Sequence, residues 1–137
     1  MIQLSVKTKY GIAAMIELAR LQKSGPVQIK TICDHPKIPQ NYVEQLLIDL
    51  KRGCLVTSTR GKHGGYQLAR RASAISISEI VTCLEGPKSL TDGHKGCETL
   101  RFYWKKMDQD IAKVFSHSLA SVLKDQQNHQ KVVTYTI

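Results

Sequence analysis

The chain has 137 residues, 42% of them apolar and 23% charged, with a formal net charge of +9. That length supports one domain with a real core, or a small domain plus an arm, and the composition excludes a disordered chain. With no run of 18 apolar residues and no basic-then-apolar leader, the expectation is a soluble, cytoplasmic protein.

Ser5 is placed to cap a first helix running to about Gln22. Ile12, Met15, Ile16 and Ala19 recur at helical spacing, with Leu18 nearby, and Ser24-Gly25-Pro26 ends the run. Residues 27–33 read as a short second helix and residues 34–38 as a turn. Pro39 suits the first position of a third helix over Gln40–Arg52. Its core stripe is Val43, Leu46, Leu47 and Leu50, and its other face carries Gln40, Asn41, Glu44 and Gln45. Gly53 breaks it.

Two short β-prone runs follow, residues 55–58 and 66–68. Between them lies Arg60-Gly-Lys-His-Gly-Gly65, three glycines and three basic or potentially basic side chains. A compact helix pair followed by a glycine-tipped, basic hairpin is the pattern of a winged helix-turn-helix, which points to DNA. Charge is distributed accordingly. Residues 1–72 hold twelve Lys/Arg against four Asp/Glu, a net of +8, and residues 73–137 hold eight against seven. A phosphate-facing surface needs such an excess, because each neutralised phosphate releases a counterion. The plainer reading is a basic face that aids solubility.

Ser78 is the expected cap of a fourth helix over residues 79–84, stopped by Glu85-Gly86-Pro87, and residues 87–97 form a polar loop. Leu100, Trp104, Met107, Ile111 and Val114 then recur at steps of four and three, with Phe115 beside them. This seam predicts a long amphipathic helix that packs on a partner helix, as in a dimer, although core packing within one chain would give the same spacing. A short helix near residues 118–124 and an alternating tail over residues 132–137, suited to an added strand, complete the chain.

Several blocks together resemble the Rrf-two family of bacterial winged-helix regulators. They are Leu4-Ser-Val-Lys-Thr-Lys-Tyr10, Tyr42-Val-Glu-Gln-Leu46, Leu55-Val with Arg60-Gly61 and Gly64-Gly65-Tyr66, and Leu84-Glu-Gly86. The resemblance covers about residues 1–125. It implies a mainly helical fold with a small β-hairpin wing, a homodimer joined by the long helix, and a dyad-symmetric operator of double-stranded DNA. The implied division is a winged domain over residues 1–85, a loop over 86–98, and a dimerisation helix with its tail over 99–137. Cluster-binding members carry three cysteines between the fourth helix and the long one. Here residues 86–104 hold only Cys97, with His94 nearby. One thiolate and one imidazole fall short of four ligands, so no iron–sulfur cluster and no other cofactor is expected, and the chain looks like the cluster-less, CymR-like branch. The alternative within the family is a redox or iron–sulfur sensor that uses Cys97. The remaining cysteines, Cys33, Cys54 and Cys83, show no metal-binding or secreted-disulfide spacing, and Cys33 reads as core.

In such a fold the third helix enters the major groove with its N-terminal residues toward the bases. Gln40, Asn41 and Gln45 suit adenine, and Glu44 either accepts from cytosine or pairs with Lys37 or Lys51. Tyr42 is expected to bury its ring and turn its hydroxyl to phosphate. Arg60 is the candidate for the minor groove. Gly61 and Gly64 allow close backbone approach, and Lys62 and His63 are phosphate candidates. So are Lys7, Thr8, Lys9 and Tyr10 at the first helix, and Gln28 at the second. No nucleotide loop, metalloprotease motif or nucleophile elbow is present, so no enzymatic activity is expected. A second function class stays open, a protein-binding module controlled by a metabolic enzyme partner. Such a module needs neither the uneven charge nor the glycine-tipped wing.

Overall fold

The computed structural model describes residues 3–34 and 36–136. Helix α1 spans Val6–Arg20, and the Ser5 hydroxyl accepts the Thr8 amide at 3.2 Å to cap it. It stops two residues short of Gln22, and Gln22–Ser24 continue as a 3-10 turn. Helix α2 spans Ile29–Asp34, not 27–33. Val27 is unavailable to it because its backbone is paired with Tyr66: Val27 N donates to Tyr66 O at 2.9 Å, and Tyr66 N returns a bond of 2.8 Å. Helix α3 spans Gln40–Arg52 as expected. Pro39 is its cap, at extended ψ 130, and not its first helical residue.

The hairpin follows, β1 over Val56–Thr59 and β2 over Gly65–Leu68, antiparallel with Val56 opposite Leu68 and Thr59 opposite Gly65. A 3-10 turn at Ala72–Ala74 leads to α4, Ile77–Glu85. Its cap is Ser76 and not Ser78. The Ser76 hydroxyl accepts the Glu79 amide while the Glu79 carboxylate accepts the Ser76 amide, a reciprocal capping box. Helix α5 spans Glu98–Val114 and α6 spans Leu119–Thr136.

The tail corrects the sequence reading. Residues 132–136 are the last turns of α6 and not a strand; Ile137 lies outside the described residues. The start of α6 is held against the winged part. Leu119 N donates to Ile75 O at 2.9 Å, Ile77 N to His117 O at 2.9 Å, and Leu119 itself is fully buried. Once that turn is fixed, adding residues such as Gln126, Gln127, Gln130 and Lys131 costs little, since nucleation is the expensive step of helix formation and Gln and Lys are good helix formers.

One core joins these elements. Met15 and Leu18 from α1, Ile32 from α2, Val43, Leu47 and Leu50 from α3, Ile75, Ile80 from α4 and Leu119 from α6 are all buried in it. Each such side chain contributes about 1.5–3 kcal/mol by leaving water. The core thus reaches past residue 85, where the sequence reading drew its boundary. Helix α5 is the exception, with no buried residue. No helix among the described residues is long and apolar enough to cross a membrane.

Candidate nucleic-acid interface

Helix α3 buries one stripe and shows the opposite one. Val43, Leu46, Leu47 and Leu50 have no exposure, while Asn41, Glu44, Gln45 and Ile48 are exposed at steps of three and four. A rigid helix with one free polar face fits a groove about as wide as itself. Gln40 and Asn41 stand at its first turn, and the Asn41 carboxamide oxygen accepts the Tyr42 amide at 3.1 Å. Gln45 donates to Asp49 at 3.3 Å. Glu44 is exposed and pairs with neither Lys37 nor Lys51 among the described residues, which leaves its carboxylate available. Ile48, 45% exposed on this same face, was missed by the sequence reading. Its signal was there: it continues the 41, 44, 45 stripe, and an aliphatic group in that place suits a thymine methyl.

Tyr42 is half-exposed rather than buried, its ring meeting Tyr10 edge-to-face with centroids 5.3 Å apart and planes at 86°. This contact links α1 to α3. Lys7 donates to Asp49 at 2.7 Å, and that bond, foremost, holds the Asp49 carboxyl below its ordinary range. Lys9 is exposed. Thr8 is corrected by its surroundings: it is fully buried, its hydroxyl donates to Glu85 at 2.6 Å, and it has no surface to offer a phosphate.

The wing is built by its glycines. Gly61 sits at φ 108, a left-handed conformation that glycine adopts freely. Gly64 is buried, and a side chain there would run into the carbonyl of Thr59. Arg60, just before Gly61, and Lys62 and His63, between the two glycines, stand exposed. The wing is also tied down. Gln28 donates to the Lys62 carbonyl at 3.5 Å, the Val27–Tyr66 bridge holds β2, and Lys51 Nζ donates to the Ser58 hydroxyl at 2.6 Å. Lys51 therefore fixes the wing to the end of α3. The exposed α3 face carries Asn41, Glu44, Gln45 and Ile48, and the wing carries Arg60, Lys62 and His63.

Cys97 is exposed as the cap residue of α5. His94 Nε2 hydrogen-bonds the Cys97 carbonyl oxygen at 3.3 Å, the donor role there requiring the tautomer protonated at that nitrogen. Among the described residues no group of three or more His, Cys, Asp or Glu side chains converges as metal ligands. The described side chains of one chain therefore do not converge to fit an iron–sulfur cluster.

A helical core with one exposed recognition helix and a basic hairpin beside it defines a winged helix-turn-helix DNA-binding protein. A family profile described as "Rrf2: Iron-dependent Transcriptional regulator" matches residues 4–125. The chain is 40% identical over 87 residues to the HTH-type transcriptional regulator CymR of Bacillus subtilis, covering 64% of this chain and 63% of that one. The solved structure of T. potens IscR matches with a TM-score of 0.79 at 34% identity, covering 94% of this chain and 91% of that one. The structure of CymR, described as the global cysteine regulator of B. subtilis, matches with a TM-score of 0.79 at 32% identity, covering 90% and 98%. The chain belongs to the Rrf2 family. It is a DNA-binding transcriptional regulator of the helix-turn-helix type, from a family of regulators and not of enzymes.

Proposed function

We propose that this protein acts as a homodimer on a dyad-symmetric operator and represses transcription there, with α3 in the major groove and Arg60 in the adjacent minor groove. The observation that carries the dimer is the state of α5. Leu100 and Val114 are 42% and 66% exposed, Trp104, Met107 and Ile111 are half-exposed, and no residue of the helix is fully buried. An apolar seam of this spacing left in water is the half of an interface that a second copy completes. Two copies joined about a dyad present two α3 helices, which requires a target with the same symmetry. The net +8 of residues 1–72 supports a large phosphate contribution. A duplex-DNA target makes the cytoplasm the site of action.

Control in this reading runs without a resident cluster, through the 86–97 loop, with Cys97 or a docked protein partner as the input. That loop is linked to α5, since the Asp108 carboxylate accepts the Ser89 hydroxyl at 2.6 Å and the Leu90 amide at 3.1 Å. Selection from random duplexes, followed by sedimentation of the selected complex, tests the proposal. The expected product is an enriched inverted repeat bound by two copies of the chain. Absence of enrichment, or an enriched site bound by one copy, overturns it.

A further inference from the structure

Cys54 and Cys83 line the same open cavity, of about 790 Å³, although they are 29 positions apart in sequence. Cys54 is exposed, and Cys83 is half-buried on α4, its thiol donating to the Asp49 carbonyl at 3.4 Å. Two further observations bring them together. Gly53 puts nothing between them: a β-carbon at that position would come 2.5 Å from the Cys83 sulfur. The sulfur therefore lies within about 4 Å of the Gly53 α-carbon and within about 8 Å of the Cys54 α-carbon, given about 3.8 Å between consecutive α-carbons. Cys54 itself stands at φ 61, a left-handed turn position that glycine or asparagine ordinarily fills after a helix. A strained residue carrying a reactive side chain, beside a second thiol in an open cavity, is a reason to look for use of that side chain.

We propose that Cys54 and Cys83 are a redox site, oxidised by hydroperoxides to a reversible disulfide that reports to the DNA-binding face. The Cys54 sulfur attacks one peroxide oxygen. The O–O bond breaks, the sulfur keeps one oxygen as a sulfenic acid, and the other oxygen leaves with a proton as water or alcohol. The Cys83 sulfur then attacks the Cys54 sulfur. The S–O bond breaks and hydroxide leaves with the Cys83 proton as water. The two thiols lose two electrons and two protons, which the peroxide receives, and a small-molecule thiol reverses the change. Closing the bond ties the turn covalently to α4, at the separation of about 4.4–6.8 Å between α-carbons that a disulfide imposes. That constraint is the signal. Cys54 lies between the last residue of α3 and the first of β1, so tying it to α4 turns recognition helix and wing against each other.

The test is peptide mass spectrometry of the full chain, reduced, exposed to hydrogen peroxide and then alkylated, alongside DNA affinity of the same sample. The expected result is a link between the peptides carrying Cys54 and Cys83, lost in Cys54→Ser and in Cys83→Ala, and reversed by dithiothreitol. Affinity for a selected duplex should change by about fivefold or more on linking, the lower end of ordinary coupling between two sites, and stay constant in peroxide-treated Cys54→Ser. Alkylation of Cys83 at full yield while Cys54 goes on to sulfinic acid overturns the site. A link without a change in affinity overturns its regulatory role. The covalent readout does not depend on the operator proposed above, so the two readings fail separately.

Discussion

The Thr8 hydroxyl donates to the Glu85 carboxylate at 2.6 Å, joining the first turn of α1 to the last residue of α4. The same oxygen accepts the Ser5 amide at 2.8 Å, and the second oxygen meets Lys88 at 3.3 Å. Glu85 therefore caps the start of one helix from the end of another. It also connects the basic residues at the start of α1 with the 86–97 loop. A residue that reads as a phosphate contact is in fact the internal fastener of that surface.

These hydrogen bonds, from Ser5 first and then Thr8, lower the Glu85 carboxyl from its ordinary 4.5 to about 2. A group whose folded value is depressed adds stability that is complete above its ordinary value and is lost as pH falls through the folded one. Glu85→Gln should therefore melt below wild type at pH 7. The gap should narrow between about pH 4.5 and about pH 2. Melting curves across that range check it, and an equal gap at both ends contradicts the role given to the charge.

Arg60→Ala should weaken binding to a selected operator by roughly 1–3 kcal/mol, chiefly at A·T-rich positions flanking the α3 contacts. Binding by the unaltered protein should fall with salt at a log–log slope of several units. Titration against operator variants measures both. Normal binding by Arg60→Ala with a loss in Lys62→Ala would move the minor-groove role to Lys62.

Leu100 and Val114 are open to solvent within one chain, so charging them leaves that chain's own packing untouched. Leu100→Glu combined with Val114→Glu should give a folded monomer, because unpaired charges in a buried seam cost several kcal/mol. Sedimentation equilibrium and circular dichroism check mass and fold together. A dimer that persists places the interface elsewhere.

Ser76→Ala removes a capping box and should cost about 1 kcal/mol, roughly 3 °C in melting temperature for a chain of this size. Ser78→Ala should cost less, since the Ser78 contact with Phe115 is made by its amide, at 2.8 Å. Calorimetry of the two variants decides between the caps.

Leu119→Ala should cost about 2–5 kcal/mol, as expected for a fully buried leucine in a packed core. A loss of that size would mean the start of α6 belongs to the folding unit of the wing. A neutral result in urea unfolding would make α6 an appendage.

Local signals fixed much of this. The apolar periods of α1, α3 and α5, the glycine at the end of α3 and the glycines of the wing were all legible in order along the chain, as were the basic tip and the exposed amides of α3. Each depends on neighbours within a few positions: a helix repeats every 3.6 residues, and a glycine acts on its own backbone. What only the tertiary structure decided depends on partners far away in sequence. Thr8 is bonded to Glu85, 77 positions on; Val27 is held in a bridge by Tyr66; and the start of α6 is held by the Leu119 amide donating to the Ile75 carbonyl. Residues 132–136 alternate like a strand, but the two-stranded sheet uses β1 and β2 alone, and a helix already nucleated gives their amide groups partners one turn back.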